Sequence, residues 1–141
     1  MLLSKFGALS PFQRSSLSAL AALLFYGGWA YLVNSMHGPM AATKAALVQG
    51  SYSMVLTFVM AVMVETIYWY FGKLFKHLNA QIWATIVLSC AVVFSTSWGV
   101  NAWAGTPEIF NTVILGYVIG AIYTTLYVYG LARPAPVSEA G

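Results

Sequence analysis

The stretch SYSMVLTFVMAVMVETIYWYF, residues 51–71, decides the fold because it is apolar throughout except for one charged residue, Glu65. Its length suffices for an α-helix, which rises about 1.5 Å per residue, to cross a hydrocarbon layer roughly 30 Å thick. Three further apolar runs of similar length cover about residues 16–33, 82–100 and 109–131. The sequence therefore predicts an all-α membrane protein, an antiparallel bundle of four transmembrane helices.

The composition supports a lipid environment and excludes a water-soluble globular domain. Hydrophobic residues make up 60% of the 141 residues and charged residues 6%, whereas soluble domains carry about 25% charged residues. The six basic residues are scattered, so no nucleic-acid partner is predicted and the lipid bilayer is the expected surrounding. We expect residues 1–133 to form a single domain and the Pro- and Ala-rich residues 134–141 to be a disordered tail.

The basic residues near the spans predict the orientation of the chain. With four spans, five of the six fall on one side of the membrane: Lys5, Arg14, Lys73, Lys76 and Arg133. The other side has Lys44 alone. Because Lys and Arg are enriched in cytoplasmic segments, both termini are expected in the cytoplasm, and a bacterial inner membrane fits this rule.

Small and polar side chains of the second span recur at the spacing of one helical face, and that face includes Glu65. Small residues let helices approach closely in lipid, and hydroxyl groups bond across helices. We therefore expect this face to turn into the bundle. The residues predicted to pack against another helix are Gly50, Ser53, Thr57 and Ala61.

The fourth span carries a similar stripe, which contains the GxxxG pair Gly116 and Gly120. This spacing favours close helix packing in membranes. The second and fourth spans are expected to contact each other, or a symmetry mate, through these stripes.

Depth in the membrane predicts which polar residues lie near Glu65. Glu65 precedes the end of its span by six residues, so it lies about 9 Å inside the boundary. Antiparallel spans bring hydroxyl groups of the third and fourth helices to a similar depth. The predicted intramembrane polar site is Glu65, Thr85, Ser89, Thr124 and Tyr127.

Three interpretations of Glu65 follow, since the spans contain no Lys, Arg or His beside it. It is a neutral carboxyl that links helices, a proton- or cation-binding site in a transport path, or one half of an ion pair with a partner's helix. Ionisable residues inside membrane spans are functional candidates in general.

Catalytic and metal-binding patterns are missing from the sequence. It has no GxSxG, HExxH or phosphate-binding glycine loop. His37 and His77 fall on opposite sides of the membrane in the predicted topology, and Cys90 is the single cysteine. We therefore predict no catalytic residues, no metal site and no cofactor, and the chain is not expected to be an enzyme.

The sequence favours a small transport or lipid-handling, flippase-like protein that uses Glu65 as a proton or cation site. The alternative is a non-catalytic accessory or assembly subunit of a larger membrane complex. A bundle of this size has little room for a substrate path, so a homo-oligomer or association with other membrane subunits is expected. In size and four-span plan the chain is similar to small multidrug transporters and GtrA-type flippase proteins, an analogy of architecture that implies no membership.

Overall fold

The computed structural model describes residues 8–134, and this part of the chain forms an all-α four-helix bundle without strands. Each helix is long and apolar enough to cross a membrane, which confirms the predicted fold class. The helices are α1 (Pro11–Asn34), α2 (Pro39–Leu74), α3 (Leu78–Ala104) and α4 (Ile109–Ala132). A single 3-10 turn, Ser35–His37, lies between α1 and α2. The predictions for Lys5 and for the tail beyond Pro134 lie outside the described residues.

The start of α1 is fixed by a reciprocal cap. The Ser10 hydroxyl accepts a hydrogen bond from the Gln13 backbone N–H at 3.2 Å, and Gln13 Oε1 accepts one from the Ser10 N–H at 2.9 Å. Pro11 occupies the first helical turn, where its missing N–H costs no hydrogen bond. These contacts satisfy backbone donors that the first turn of a helix leaves free.

α2 is longer than the apolar run of residues 51–71 because it begins at Pro39. Gly38, just before it, has φ +93°, a backbone conformation that L side chains rarely adopt. This glycine turns the chain sharply, and Pro39 then starts the helix at once. The extra turns bring Gln49, which the sequence places before the second span, into the bundle.

α1 and α2 form the closest helix pair in the bundle. A Cβ added at Gly50 would lie 2.8 Å from the Leu23 carbonyl oxygen, and one added at Gly27 would lie 3.0 Å from the Ala46 carbonyl oxygen. The two backbones therefore approach each other at positions that only glycine accommodates, as in small-residue contacts between membrane helices. α2 packs next against α3, and α3 against α4, while α1 and α4 meet more sparsely.

The apolar core lies among α2, α3 and α4, in the half of the bundle that contains Glu65. Its members are buried aliphatic and aromatic side chains from these three helices: Met60, Val64, Tyr68, Ile82, Ile86, Val93 and Val128. One polar contact crosses this region, since Gln81 Nε2 donates to the Tyr68 carbonyl oxygen at 2.9 Å. The core excludes α1, which leaves room beside the first half of that helix.

Candidate functional site

Amide side chains link the helices at one end of the bundle, where α1 passes to α2 and α3 passes to α4; we call it the amide end. Asn101 of α3 donates through Nδ2 to Gln49 Oε1 of α2 at 2.7 Å and to the Ser97 carbonyl oxygen at 3.0 Å. The Thr106 hydroxyl donates to Asn101 Oδ1 at 2.9 Å. The Ser97 hydroxyl also donates to Gln49 Oε1, at 3.4 Å. These four residues, the amide network, are buried.

A second group at the amide end joins α1 to α4. Asn34 Nδ2 donates to the Thr112 hydroxyl at 2.8 Å, and Asn34 Oδ1 accepts from the Glu108 N–H at 3.0 Å. Asn34 and Thr112 are both buried. Trp29 adds a further link, because its Nε1 donates to the Asn111 carbonyl oxygen at 2.8 Å.

Glu108 forms a hydrogen-bonded pair with His37 at the surface of the amide end. Its Oε1 lies 3.0 Å from His37 Nε2, and its Oε2 accepts from Asn111 Nδ2 at 3.0 Å. The hydrogen bond from His37, and then that from Asn111, hold the pKa of the Glu108 carboxyl below its usual value. Both partners are well exposed, so this pair contributes little to stability.

A partly open cavity of 810 Å³ lies between the four helices. Gln49 marks one end of its α2 wall and Ala61 the other, a rise of about 18 Å along the helix. Its surface is mainly apolar and aromatic, and Arg14 is the single charged residue among those that line it. Such a shape, with few polar groups on an apolar wall, is typical of sites for small amphipathic molecules.

Glu65 lies one helical turn beyond Ala61, and two tyrosines connect it to the cavity. Tyr127 of α4 donates a hydrogen bond through its hydroxyl to Glu65 Oε1. The Tyr127 ring stacks against that of Tyr123, with centroids 5.6 Å apart, and Tyr123 lines the cavity. Within residues 8–134 no basic side chain pairs with Glu65. The carboxyl is therefore held by one phenol, whose ring stacks on a tyrosine of the cavity wall.

The other three residues predicted to surround Glu65 are buried and do not bond to it. The Thr85 hydroxyl donates to the Gln81 carbonyl oxygen at 2.7 Å, within its own helix. The Thr124 hydroxyl donates in the same way to the Gly120 carbonyl oxygen at 2.8 Å. Ser89 Oγ is buried and has no partner among the described residues. The structure thus joins Glu65 to Tyr127 and to none of the three smaller hydroxyls.

The residues predicted to pack helices together divide into two groups. Gly50 and Ser53 are buried, and Gly50 forms the close contact with α1. The remaining four line the cavity together with Ser53: Thr57, Ala61, Gly116 and Gly120. A Cβ added at Gly120 would meet no atom within 4 Å. In this part of the stripes, small side chains leave space instead of drawing α2 and α4 together.

The amide network and the Asn34 contacts are not predicted from the sequence. The predicted spans end just before Asn34 and Asn101 and begin just after Gln49, which leaves these residues outside the membrane. A usable signal existed, since each is an amide side chain within two residues of a predicted span boundary. Amides at such positions form hydrogen bonds between helices in membrane proteins.

No family model, no curated protein and no solved structure matches this chain. The chemistry of the site therefore rests on its own geometry.

Proposed function

We propose that this protein is a small transport or lipid-handling, flippase-like membrane protein in which Glu65 is the proton- or cation-binding group. The observation that carries the proposal is the continuous path from the cavity through the Tyr123 and Tyr127 rings to Glu65. A cavity of this size has room for part of a lipid or for a small amphipathic molecule.

The hydrogen bond to Tyr127 gives Glu65 a way to influence the cavity. A charged carboxylate accepts strongly from the phenol, whereas a neutral carboxyl accepts weakly and donates a proton of its own. Gain of a proton or of a cation therefore weakens this hydrogen bond and loosens the position of the Tyr127 ring. Because this ring stacks on Tyr123, the change reaches the cavity wall directly.

Orientation and location are part of the same proposal. Arg14 lies in the first turn of α1, Lys73 and Lys76 lie at the end of α2 and just after it, and Arg133 follows α4, so antiparallel helices bring these four to one end. Lys44 belongs to the opposite end. The excess of basic residues favours cytoplasmic termini and a bacterial inner membrane. Association of several copies would complete the cavity on its open side.

Infrared spectroscopy in proteoliposomes tests whether Glu65 exchanges its proton. The carbonyl band of a protonated carboxyl is compared between about pH 5 and about pH 9 in the wild type and in Glu65→Gln. A proton site gives a band that titrates reversibly and that is missing in Glu65→Gln. Glu108→Gln is the matched control and retains the band. A band that stays constant over the whole range would favour a purely structural carboxyl.

Lipid movement is tested with a dithionite-bleachable fluorescent phospholipid in the same vesicles. Without flipping, only the outer leaflet is bleached, so wild-type protein should raise the bleached fraction above that of empty vesicles. Glu65→Gln should lose this gain while it folds normally. Equal bleaching by the two proteins would contradict a role for Glu65 in moving lipid.

Co-purification in mild detergent with a protein other than this 15.3 kDa chain would instead support the accessory-subunit alternative.

A further inference from the structure

The orientation of the Gln49 amide follows from the hydrogen bonds of its neighbours. The Ser97 carbonyl oxygen can only accept, so the Asn101 atom 3.0 Å from it must be the amide nitrogen. The same nitrogen lies 2.7 Å from a terminal atom of Gln49, which must therefore be the acceptor oxygen, Oε1. The Gln49 amide nitrogen, Nε2, consequently points the other way.

Gln49 Nε2 is a donor in the cavity wall without a protein partner. Gln49 is only 2% exposed and lines the cavity, and within residues 8–134 its Nε2 donates to no atom. Gly116 leaves the space beside this nitrogen open, since a Cβ added there would lie 3.7 Å from Nε2. A donor that faces a mainly apolar cavity gains a hydrogen bond when a ligand brings an oxygen to it, so such a ligand would be stabilised here.

We infer that the Gln49 end of the cavity binds a neutral carbonyl oxygen of an amphipathic molecule. The inference rests on the proposed function and names the substrate class of its cavity. The oxygen should be neutral because Arg14, the one charged lining residue, lies at the level of the opposite end, about 18 Å away along the helices. A carboxylate or phosphate at Gln49 would be buried without a countercharge, which is strongly unfavourable.

The walls beside Gln49 fit the apolar body of such a molecule. Tyr26, Tyr52, Phe94 and Tyr117 line the cavity and present aromatic ring surface. The Tyr52 hydroxyl is already bonded to the Val93 carbonyl oxygen at 3.0 Å and to the Thr96 hydroxyl at 2.8 Å. The Tyr52 hydroxyl is thus already engaged, whereas Gln49 Nε2 is left to orient a ligand.

Binding of Prodan, a fluorescent naphthalene with a neutral ketone, tests the inference in nanodiscs. The measured quantity is saturable energy transfer from the protein's tryptophans, corrected for empty nanodiscs, and it needs no transport. Wild-type protein should bind Prodan about tenfold more tightly than the same molecule with its ketone reduced to CH2. Gln49→Met should weaken Prodan binding by a similar factor and leave the binding of the reduced analogue unchanged.

Two glycine variants provide a test that leaves the amide network intact. A Cβ meets no atom within 4 Å at either Gly120 or Gly28, yet only Gly120 lines the cavity. Gly120→Leu should therefore abolish saturable Prodan binding, and Gly28→Leu should leave it unchanged. Equal affinities of wild-type protein for Prodan and its reduced analogue would overturn the inference, as would unchanged binding in Gly120→Leu.

The lipid used for the nanodiscs distinguishes two sources of the oxygen. If a membrane lipid is the natural ligand, its ester carbonyls compete with Prodan, so binding tightens in nanodiscs of ether lipids with fewer acceptors. Equal affinity in both nanodiscs assigns the site to an amphiphile other than an ester lipid. Both results support the Gln49 site. The two proposals can fail separately. If Prodan binds specifically but the Glu65 carboxyl band does not titrate and Glu65→Gln moves lipid as the wild type does, the proposed transport mechanism is rejected and the ligand site is retained.

Discussion

The two ends of the bundle differ in how they hold α1. At the amide end, Asn34 and Trp29 form hydrogen bonds from α1 to α4. At the end that contains Glu65, the polar links between helices are Gln81 to the Tyr68 carbonyl oxygen and Tyr127 to Glu65, and neither involves α1. Within residues 8–134, side-chain hydrogen bonds therefore hold α1 at the amide end, and the cavity lies beside the other half of this helix.

This difference separates a fixed region from one that can change. Each buried amide oxygen at the amide end has a donor, so movement there would leave several buried groups unsatisfied at once. Glu65 depends on a single donor, and its protonation alters that one bond. We therefore expect mutations at the amide end to affect stability first, and mutations beside Glu65 to affect function first.

The largest effect on stability is expected from Asn101→Ala. It removes the donor from Gln49 Oε1 and the acceptor from the Thr106 hydroxyl, so the free energy of unfolding should fall by about 2 kcal/mol. Titration of the folded protein with SDS, followed by circular dichroism, measures the loss.

Thr125→Ala is the control, because the Thr125 hydroxyl bonds only to the Ala121 carbonyl oxygen of its own helix. Its effect should stay below about 0.5 kcal/mol. Similar losses in Asn101→Ala and Thr125→Ala would show that the amide network does not hold the helices together.

Gly50→Ala is expected to have the next largest effect. The new methyl group would lie 2.8 Å from the Leu23 carbonyl oxygen, so α1 must move away, at a cost of about 1–2 kcal/mol. Gly28→Ala is the matched control, since its methyl group meets no atom within 4 Å. Unfolding in SDS should therefore separate the two variants. If Gly50→Ala is as stable as Gly28→Ala, α1 and α2 can move apart at this contact without a loss of stability.

The helices and the depth of Glu65 could be predicted from the sequence because both follow from fixed helical geometry. Long apolar runs specify the spans, and a constant rise per residue brings Tyr127 to the level of Glu65. The predicted span of residues 51–71 covers only the later part of α2, since residues 39–50 are less apolar and include Lys44. Helical continuation there depends on the Gly38 turn, which only the structure displays.

The cavity could not be predicted because a stripe of small residues is compatible with two arrangements. Gly50 allows backbone contact, whereas Gly120, with the same residue type in the same kind of stripe, leaves open space. The rotation and tilt of each helix decide between these two arrangements, and the spacing of small residues determines neither the rotation nor the tilt. The same holds for Thr85 and Thr124, whose hydroxyls bond to carbonyl groups of their own helices.

A smaller change in stability is expected when the Glu65 contact is removed. Tyr127→Phe deletes one hydrogen bond between helices, which in membrane proteins contributes about 0.6 kcal/mol on average. Tyr129→Phe, on the exposed side of the same helix, should cost less than this. SDS unfolding compares the two, and the dithionite assay should show lost lipid movement in Tyr127→Phe alone. If Tyr127→Phe lowers the free energy of unfolding by more than about 2 kcal/mol, the Glu65 contact contributes as much to stability as the contacts of the amide end.

The smallest effect should come from Glu108. Its partners favour the carboxylate in the folded protein, so its pKa is depressed and its contribution is present above the unfolded pKa, near pH 4. As pH falls from about 5 to about 3, folded Glu108 becomes protonated and the contribution disappears. Wild-type protein should therefore lose slightly more thermal stability over this interval than Glu108→Gln, which cannot titrate. Because the other carboxyl groups titrate in both proteins, the difference in Tm isolates Glu108. If Tm changes with pH in the same way in both proteins, the contact between Glu108 and His37 does not stabilise the amide end.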